Sequence, residues 1–196
     1  MLDFERLNQP QLRVYEPNAS TIVLGASRSF EADVYEKESS LSAIPVVRRR
    51  GGGGTVFLSK GQVVICLVTK VAELFENKKY TWIINRWVIS ELEKLGVKFL
   101  SSRGISDLAI SNRKIIVTSV FRRRHIFFYQ ASLLVNNNIS DFSKFLKFPS
   151  VVPDYRRGRD HSSFCTNLQN EGYNFSPFEI AKLIYSVILK KITDFK

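Results

Sequence analysis

Asp107-Leu108-Ala109-Ile110-Ser111-Asn112-Arg113-Lys114-Ile115-Ile116-Val117-Thr118-Ser119 is the stretch on which the fold hinges. It reads as two strands, 107–111 and 114–119, around a tight Asn112-Arg113 turn. A further strand follows from Ile126 to Val135, with no helical stretch between. Strands in runs, with only a few helices among them, argue for an α+β fold with a mixed or antiparallel sheet and packed helices. They argue against a doubly wound α/β fold.

Upstream, Ile84, Trp87, Val88, Leu92 and Leu95 fall on one face of a helix over 81–95, and Gly96 sits where a C-terminal cap belongs. Thr55 to Leu58 and Gln62 to Thr69 are strands joined by Ser59-Lys60-Gly61. The second is nearly all apolar, which marks a buried central strand with Cys66 in the core. Leu12 to Tyr15 and Thr21 to Leu24 flank a Glu16-Pro17-Asn18 turn. Residues 28–43 are polar and mixed, a helical turn with loops. Downstream, 139–148 reads as a short helix before Pro149. Residues 150–165 read as a loop whose Arg156-Arg157-Gly158-Arg159 is expected to stay mobile until a ligand orders it. Ser176-Pro177-Phe178-Glu179 is a capping box with proline at the first helical position, opening a last amphipathic helix to about Leu189.

The chain has 196 residues, a one-domain length, and its 44% hydrophobic and 24% charged residues exclude wholesale disorder. No apolar run approaches the ~18 residues of a membrane span. Met1-Leu2-Asp3-Phe4-Glu5 places acids where a secretory signal needs an apolar core. Two cysteines, Cys66 and Cys165, exclude a disulfide framework and suit a reducing, cytoplasmic setting. With only His125 and His161, a His-rich metal site is not expected. The net charge is +11, and residues 94–169 hold thirteen Lys/Arg against four acids, so an anionic partner is expected.

Arg48-Arg49-Arg50-Gly51-Gly52-Gly53-Gly54-Thr55-Val56-Phe57 carries the first chemical signal. Four glycines remove every Cβ from a backbone stretch, so it can approach a ligand closely and turn N–H groups toward an anion. The arginines add guanidinium forks suited to carboxylate or phosphate. No Gly-Lys-Ser/Thr follows, so this is not a Walker loop. The same run also suits a flexible loop with solvated arginines. Lys114, after Gly104-Ile105-Ser106-Asp107 and at the start of an apolar strand, is placed to be a partly desolvated cation at a polarised oxygen. It also suits an edge-strand lysine that discourages aggregation.

Taken in order, these pieces resemble the lipoate–protein ligase A family, within the biotin/lipoate ligase and octanoyl/lipoyl transferase group. Arg48 to Gly61 matches the family run Arg-Arg-x-Ser-Gly-Gly-Gly-(Ala)-Val-(Phe/Tyr)-His-x-x-Gly. Ser106-Asp107-Leu108 matches Asn-Asp-Leu. Lys114 to Ser119 matches Lys-(Ile/Val)-Ser-Gly-Ser-Ala, and Tyr129 to Leu134 matches His-His-Gly-(Thr/Ser)-Leu-Leu. Thr21 to Gly25 and Cys165-Thr166-Asn167-Leu168 also fit. The chain departs from the pattern at Gly51 (for serine), Leu58 (for histidine), Val117 (for glycine) and Gln130 (for histidine).

The resemblance implies a class II biotin/lipoate ligase-like catalytic domain over 1–196, without the C-terminal accessory domain of longer ligases. It implies a lipoyl or octanoyl acid bound in an apolar tunnel lined by Val56, Phe57 and the strand at 62–69. ATP with Mg²⁺ would activate that acid as an acyl-adenylate. Lys114 is the implied catalytic residue. Arg49, Gly51, Gly52, Gly53, Gly54, Thr55, Val56, Phe57, Asp107, Thr118, Ser119, Gln130 and Ser132 are the implied substrate and adenylate contacts, with Asp107 bonding the nucleotide or fixing the lysine. No protein metal ligands are implied. The implied acceptor is an acidic lipoyl domain or a glycine-cleavage H-type protein, with a separate accessory chain as a further partner. Cys165 reads as packing, with a thioacyl role as the lesser reading.

Two alternatives stay open. One is a non-catalytic or partner-dependent homologue that binds acyl or nucleotide ligands. The other is a basic nucleic-acid-binding module, in which Arg122-Arg123-Arg124-His125 interleaves with Phe127, Phe128 and Tyr129 for phosphate contact and stacking. Those aromatics equally suit alternating core positions on a strand.

Overall fold

The computed structural model describes residues 7–104 and 106–194; Ile105 and the opening residues 1–6 lie outside the described residues. The larger of two sheets has six strands in the order β1 (Gln11–Tyr15), β5 (Gln62–Lys70), β9 (Ile126–Leu134), β8 (Arg113–Arg123), β7 (Asp107–Ile110) and β6 (Leu100–Arg103). Every neighbouring pair in it is antiparallel. The smaller sheet runs β3 (Val46–Arg48), β2 (Thr21–Leu24), β4 (Val56–Leu58), with β2 parallel to β3 and antiparallel to β4. The α+β reading and the mixed, largely antiparallel pairing therefore hold.

Side-chain period sorts the two faces of the large sheet. Val63, Ile65 and Leu67 of β5 and Phe127, Tyr129, Ala131 and Leu133 of β9 form one core with α3 (Asn77–Lys94) and α6 (Pro177–Lys191). The helices contribute Ile84, Val88, Leu92, Ile180, Ile184 and Ile188, spaced at helical period. The opposite face meets the small sheet and the short helices. There Ile22, Phe57, Leu134, Phe142, Phe145 and Phe164 make a second core. These come from β2, β4, β9, α4 (Ser140–Phe145) and α5 (His161–Phe164). The candidate site lies on this second face. The short α1 (Phe30–Asp33) and α2 (Glu36–Leu41) fill the 28–43 stretch.

The helix boundaries follow from local chemistry. The capping box of α6 is formed: the Ser176 hydroxyl accepts from the Glu179 N–H at 3.2 Å and the Ser176 N–H donates to Glu179 at 3.0 Å. A cap of this kind contributes about 1 kcal/mol. At the end of α3, Gly96 has φ +87°, its N–H bonds Glu93 O at 2.9 Å, and Val97 N–H bonds Leu92 O at 3.0 Å. This is a Schellman ending, which needs the left-handed residue that glycine supplies. The helix starts at Asn77, earlier than the polar Asn77-Lys78-Lys79 suggests, because Tyr80 is buried against Phe127 with centroids 5.7 Å apart.

Two expectations need correction. Residues 150–165 are not an unformed loop: Asp154–Arg156 form a 3₁₀ turn, α5 follows, and Arg159 donates to Asn112 O at 2.8 Å. The segment is folded against the β7–β8 turn because its aromatic residues have a core to join. Arg122 and Arg123 lie on β8, which runs on to a two-residue Arg124-His125 hairpin. Phe127, Phe128 and Tyr129 are all buried, so these rings offer no stacking platform for bases. No helix among the described residues is long and apolar enough to cross a membrane.

Candidate active site

A β-bulge aims the key lysine. Leu108 pairs with Ile116 but Ala109 pairs with Lys114, so β8 carries one residue more than β7 at this point. Ile115 and Ile116 therefore both enter the helix-side core. Lys114 and Val117, an odd number of residues apart, then line the same cleft on the other face. Regular alternation would have separated them; a bulge re-aims a side chain in this way. Lys114 Nζ lies 2.7 Å from Asp107 Oδ2, and the Tyr155 hydroxyl donates to that oxygen at 2.9 Å. Burial first, then the Asp107 charge, push the Tyr155 hydroxyl pKa well up, so it remains a donor. In the structure Asp107 is thus paired with the lysine. The Thr118 hydroxyl and the Asn85 amide both bond Ser106 O, at 2.9 and 3.2 Å, and so fix the approach to Asp107. The Thr118 side chain is thus turned to that loop.

The arginine–glycine run forms a ribbon beside this pair. Irregular backbone lacks ladder partners for its carbonyls. Arg49 supplies them: Nη2 donates to Gly52 O at 2.8 Å and Gly54 O at 2.6 Å, Nη1 to Val23 O at 3.2 Å, and Nε to Ser119 Oγ at 3.0 Å. Burial lowers its pKa to about 10. Arg48 likewise bonds Gly25 O at 3.0 Å and the Arg28 carbonyl. Both forks, expected at a carboxylate or phosphate, are here turned on the main chain. The glycines divide in role. A Cβ at Gly51 would strike the Ser119 hydroxyl, whereas Cβ atoms at Gly52 and Gly54 would meet nothing within 4 Å. Gly53, at φ +91°, needs glycine's freedom. The exposed edge at Gly52–Gly54 is open to a ligand's close approach.

Below the ribbon lies a cleft of about 160 Å³, partly open to solvent. Val56, Phe57, Leu134, Phe142 and Leu146 make it apolar, so Val56 and Phe57 stand where they were expected. The strand at 62–69 does not line it as predicted. Only Gln62 reaches this cleft, and Val64 an adjoining recess, because Val63, Ile65 and Leu67 face the helices. Ser132 donates to Gln62 at 2.6 Å, which in turn donates to Phe57 O at 3.0 Å. Gln130 lines the recess with Arg49, Thr118, Ser119 and Ser132. Thr55 donates to Asp33, whose carboxyl is held below its usual range by the Arg28 guanidinium.

The 148–165 segment covers the cleft. Phe164 is central to it, with Lys114 Nζ 5.1 Å from the ring centroid and the Arg156 guanidinium 4.9 Å from it. Thr166 N–H bonds the Lys114 carbonyl at 2.9 Å and Cys165 pairs with Lys114 as a parallel bridge, so the segment also fixes the lysine's backbone. Burial pushes the Cys165 thiol up to about 11, which suits packing over nucleophilic use. Among the described residues no three His, Cys, Asp or Glu side chains gather for a cation. Asp33 and Asp107 are each held by a cation already. Mg²⁺ thus finds no ligand set among these side chains.

Sequence reading missed Tyr155, Asn85, Asp33, Phe164 and His161. Asn85 carried a usable signal, a polar residue beside the apolar stripe of α3. His161 carried another, in the N-cap Asp160 before it, whose side chain accepts from Ser163 N–H at 2.8 Å. The others depend on tertiary contacts alone.

With this geometry in view, comparison with known proteins is informative. The signature of the lipoyl protein ligase A/B catalytic domain matches residues 2–189. The chain is 28% identical to lipoate-protein ligase LplJ of Bacillus subtilis over 141 residues, which is 71% of this chain and 41% of that protein. It is 26% identical over 152 residues to the protein named probable lipoate-protein ligase A in Mycoplasma genitalium, covering 77% of this chain and 44% of that one. It thus spans about two fifths of the length of these relatives. Among solved structures, a bipartite lipoate protein ligase of Thermoplasma acidophilum superposes with a TM-score of 0.80 at 20% identity, covering 95% of this chain and 72% of that one. An ATP-bound lipoate-protein ligase A gives a TM-score of 0.80 at 18% identity, covering 95% and 74%. These likenesses show the class II biotin/lipoate ligase-like fold. The signature covers nearly the whole chain and its motifs converge on one cleft: the chain belongs to the lipoyl protein ligase A/B catalytic domain family.

Proposed function

We propose that this chain attaches lipoate, or octanoate, to a lysine of a lipoyl-type acceptor domain through an acyl-adenylate, as a single catalytic domain acting in the cytoplasm. The observation that carries this is the Lys114–Asp107 pair, 2.7 Å apart, at an apolar cleft edged by the glycine ribbon. The acyl chain lies against Val56, Phe57, Leu134, Phe142 and Leu146. The open edge at Gly52–Gly54 receives the nucleotide's phosphate region, and Mg²⁺ arrives on those phosphates. In activation the acid's carboxylate attacks the α-phosphorus of ATP and pyrophosphate leaves. In transfer the acceptor amine attacks the acyl carbonyl, AMP leaves, and the amine loses a proton. Lys114 stabilises the oxygen on which charge develops in both steps, held in place by Asp107 so that little reorganisation is needed. The basic character of 94–169 steers an acidic lipoyl domain or H-type protein toward the cleft.

A second reading, that activation needs a further chain or segment, is favoured by the two-fifths span of the relatives and by the bipartite make-up of the archaeal neighbour. Intact mass of a purified lipoyl domain, incubated with the protein, Mg-ATP and lipoate, tests both. A gain of one lipoyl group that needs ATP supports the self-sufficient ligase. A gain only with preformed lipoyl-adenylate supports the second reading. No gain with either donor rejects transfer by this chain alone.

A further inference from the structure

Four basic side chains line the cleft: Lys114, Lys147, Arg156 and His161. Lys114 has its carboxylate in Asp107. Lys147 donates to Glu31 O at 2.7 Å, and His161 Nε2 lies 3.2 Å from Lys147 O. Arg156 differs from all three. Its side chain is 3% exposed, yet it enters no ion pair among the described residues. Nε donates to Arg159 O at 2.8 Å, while Nη2 is buried with no hydrogen-bond partner among the described residues. The guanidinium lies over Phe148 at 4.5 Å and over Phe164 at 4.9 Å, and two rings fix a planar cation in orientation as well as in place.

A buried charge without a counter-charge is unfavourable unless something supplies one. Here burial already lowers the guanidinium's pKa, which marks a cation deprived of water. The cleft's own acid does not answer it, since Asp33 is taken by Arg28 and Thr55. The Asp160 charge acts on Arg156 from a distance, but its oxygens accept from Ser162 and Ser163 and make no ion pair with the guanidinium. The missing partner is therefore an anionic oxygen brought by a ligand, for which a guanidinium N–H is a strong and directional donor.

We propose that Arg156 is an anion receptor inside the cleft, whose Nη2 binds an acidic oxygen of the acyl substrate: the carboxylate before activation, or the phosphate of the adenylate after it. This rests on the acyl-ligand reading above. With Lys114, whose Nζ also lies over Phe164, it gives the acidic head two cations, one already paired and one waiting. Arg156-Arg157-Gly158-Arg159 looked in the sequence like a solvated or mobile basic cluster; its first arginine is the buried one.

The test is calorimetric titration of wild type, Arg156→Met and Arg156→Lys with octanoate, octanamide and the octyl phosphodiester of AMP, a stable adenylate analogue. The proposal expects the Met variant to bind one of the two anions about 10- to 100-fold more weakly while binding octanamide unchanged. Loss confined to octanoate assigns the carboxylate, and loss confined to the phosphodiester assigns the phosphate. Equal binding of all three ligands by wild type and a folded Met variant overturns the role of Arg156. Failure of wild type to bind either anion overturns the acyl-ligand reading itself. Should Arg156→Met melt far below wild type, the wild-type protein decides: the Arg156 Nε–H resonance, assigned by its absence from Arg156→Lys, should shift with an anion and not with octanamide. No shift with either anion overturns the proposal.

Discussion

The two walls of the cleft handle their polar groups in opposite ways. On the sheet wall, polar side chains are returned to the protein: Lys114 to Asp107, Thr118 and Asn85 to Ser106 O, Arg49 to the ribbon carbonyls, Ser132 to Gln62. On the covering wall, Arg156 stands over two aromatic rings with a buried N–H left over. A fully satisfied network is rigid and holds its geometry without a ligand. A wall with unanswered donors is completed by one. The sheet wall thus supplies preorganisation and the cover supplies recognition.

Replacing Lys114 breaks the first half of that contrast most severely. Lys114→Ala should lower single-turnover transfer from preformed lipoyl-adenylate by at least about 10²–10³-fold, the loss typical of one preorganised electrostatic contact. Asp107→Asn keeps an acceptor for Tyr155 but removes the ion pair, and should cost less, about 10-fold, by freeing the lysine's position. If Asp107→Asn proved the worse of the two, Asp107 would be the group that acts on substrate and Lys114 its support. Circular dichroism melts should show both variants folded.

The sheet wall also carries a swap that the sequence alone hides. The family run has serine where this chain has Gly51, and alanine where this chain has Ser119. In the structure the Ser119 hydroxyl fills the space that a side chain at Gly51 would need, accepts from Arg49 and donates to Gly52 O at 2.9 Å. The hydroxyl has moved from ribbon to strand. Gly51→Ser alone should overpack and destabilise by about 1–3 kcal/mol. Ser119→Ala alone loses two hydrogen bonds, about 1–2 kcal/mol. The double variant should be more stable than the sum of the singles implies, by about 1 kcal/mol or more in a denaturant double-mutant cycle. Simple additivity would show that the two positions are independent.

These residues also mark what could be read in advance. The run of antiparallel strands, the α6 cap and the Gly96 ending are local, and local chemistry announces them. β3, with three exposed residues, and the polar edge strand β6, Leu100-Ser101-Ser102-Arg103, carry no apolar alternation and were not foreseen. Lys114 was found through motif resemblance, but its direction was not legible. Strict alternation puts it with Ile116 and Thr118, and only pairing with the shorter β7 creates the bulge. The arginines were read as forks for an anion. Main-chain carbonyls claim both, those of Gly25 and Arg28 for Arg48 and those of the ribbon for Arg49, and the anion-ready fork is Arg156, whose burial depends on Phe148 and Phe164 meeting around it.

Val117 gives a smaller test of the boundary between the two walls. Its side chain lines both the main cleft and the recess holding Ser119 and Gln130, and so stands between them. Val117→Gly should join the two spaces and shift preference toward longer acids, lowering KM for decanoate relative to octanoate a few-fold with little change in kcat. The glycine should cost about 0.5–1 kcal/mol of stability in the strand. An unchanged KM ratio would place the acyl end elsewhere in the cleft.

The smallest effect belongs to His161 on the cover. Burial is the main cause holding its pKa below the ordinary 6.5, assisted by the nearby Arg156 charge and opposed by the bond to Lys147 O. The folded protein therefore takes up this proton less readily than the unfolded chain. Between the two pKa values the unfolded state binds more protons, so stability rises with pH there. Loss should begin as pH falls through about 6.5 and stop below the folded value, leaving a shallow slope distinct from the losses at lower pH expected of the depressed Asp33 and Asp160 carboxyls. His161→Asn, which keeps a donor for Lys147 O but does not titrate, should flatten that segment in urea unfolding between pH 5 and 7. Because Arg156 contributes to the depression, an anion bound at Arg156 should raise the His161 pKa and narrow the same window. A histidine titration unmoved by octanoate and by the AMP phosphodiester alike would mean that the cover meets no anion, and the division of labour between the two walls would fail with it.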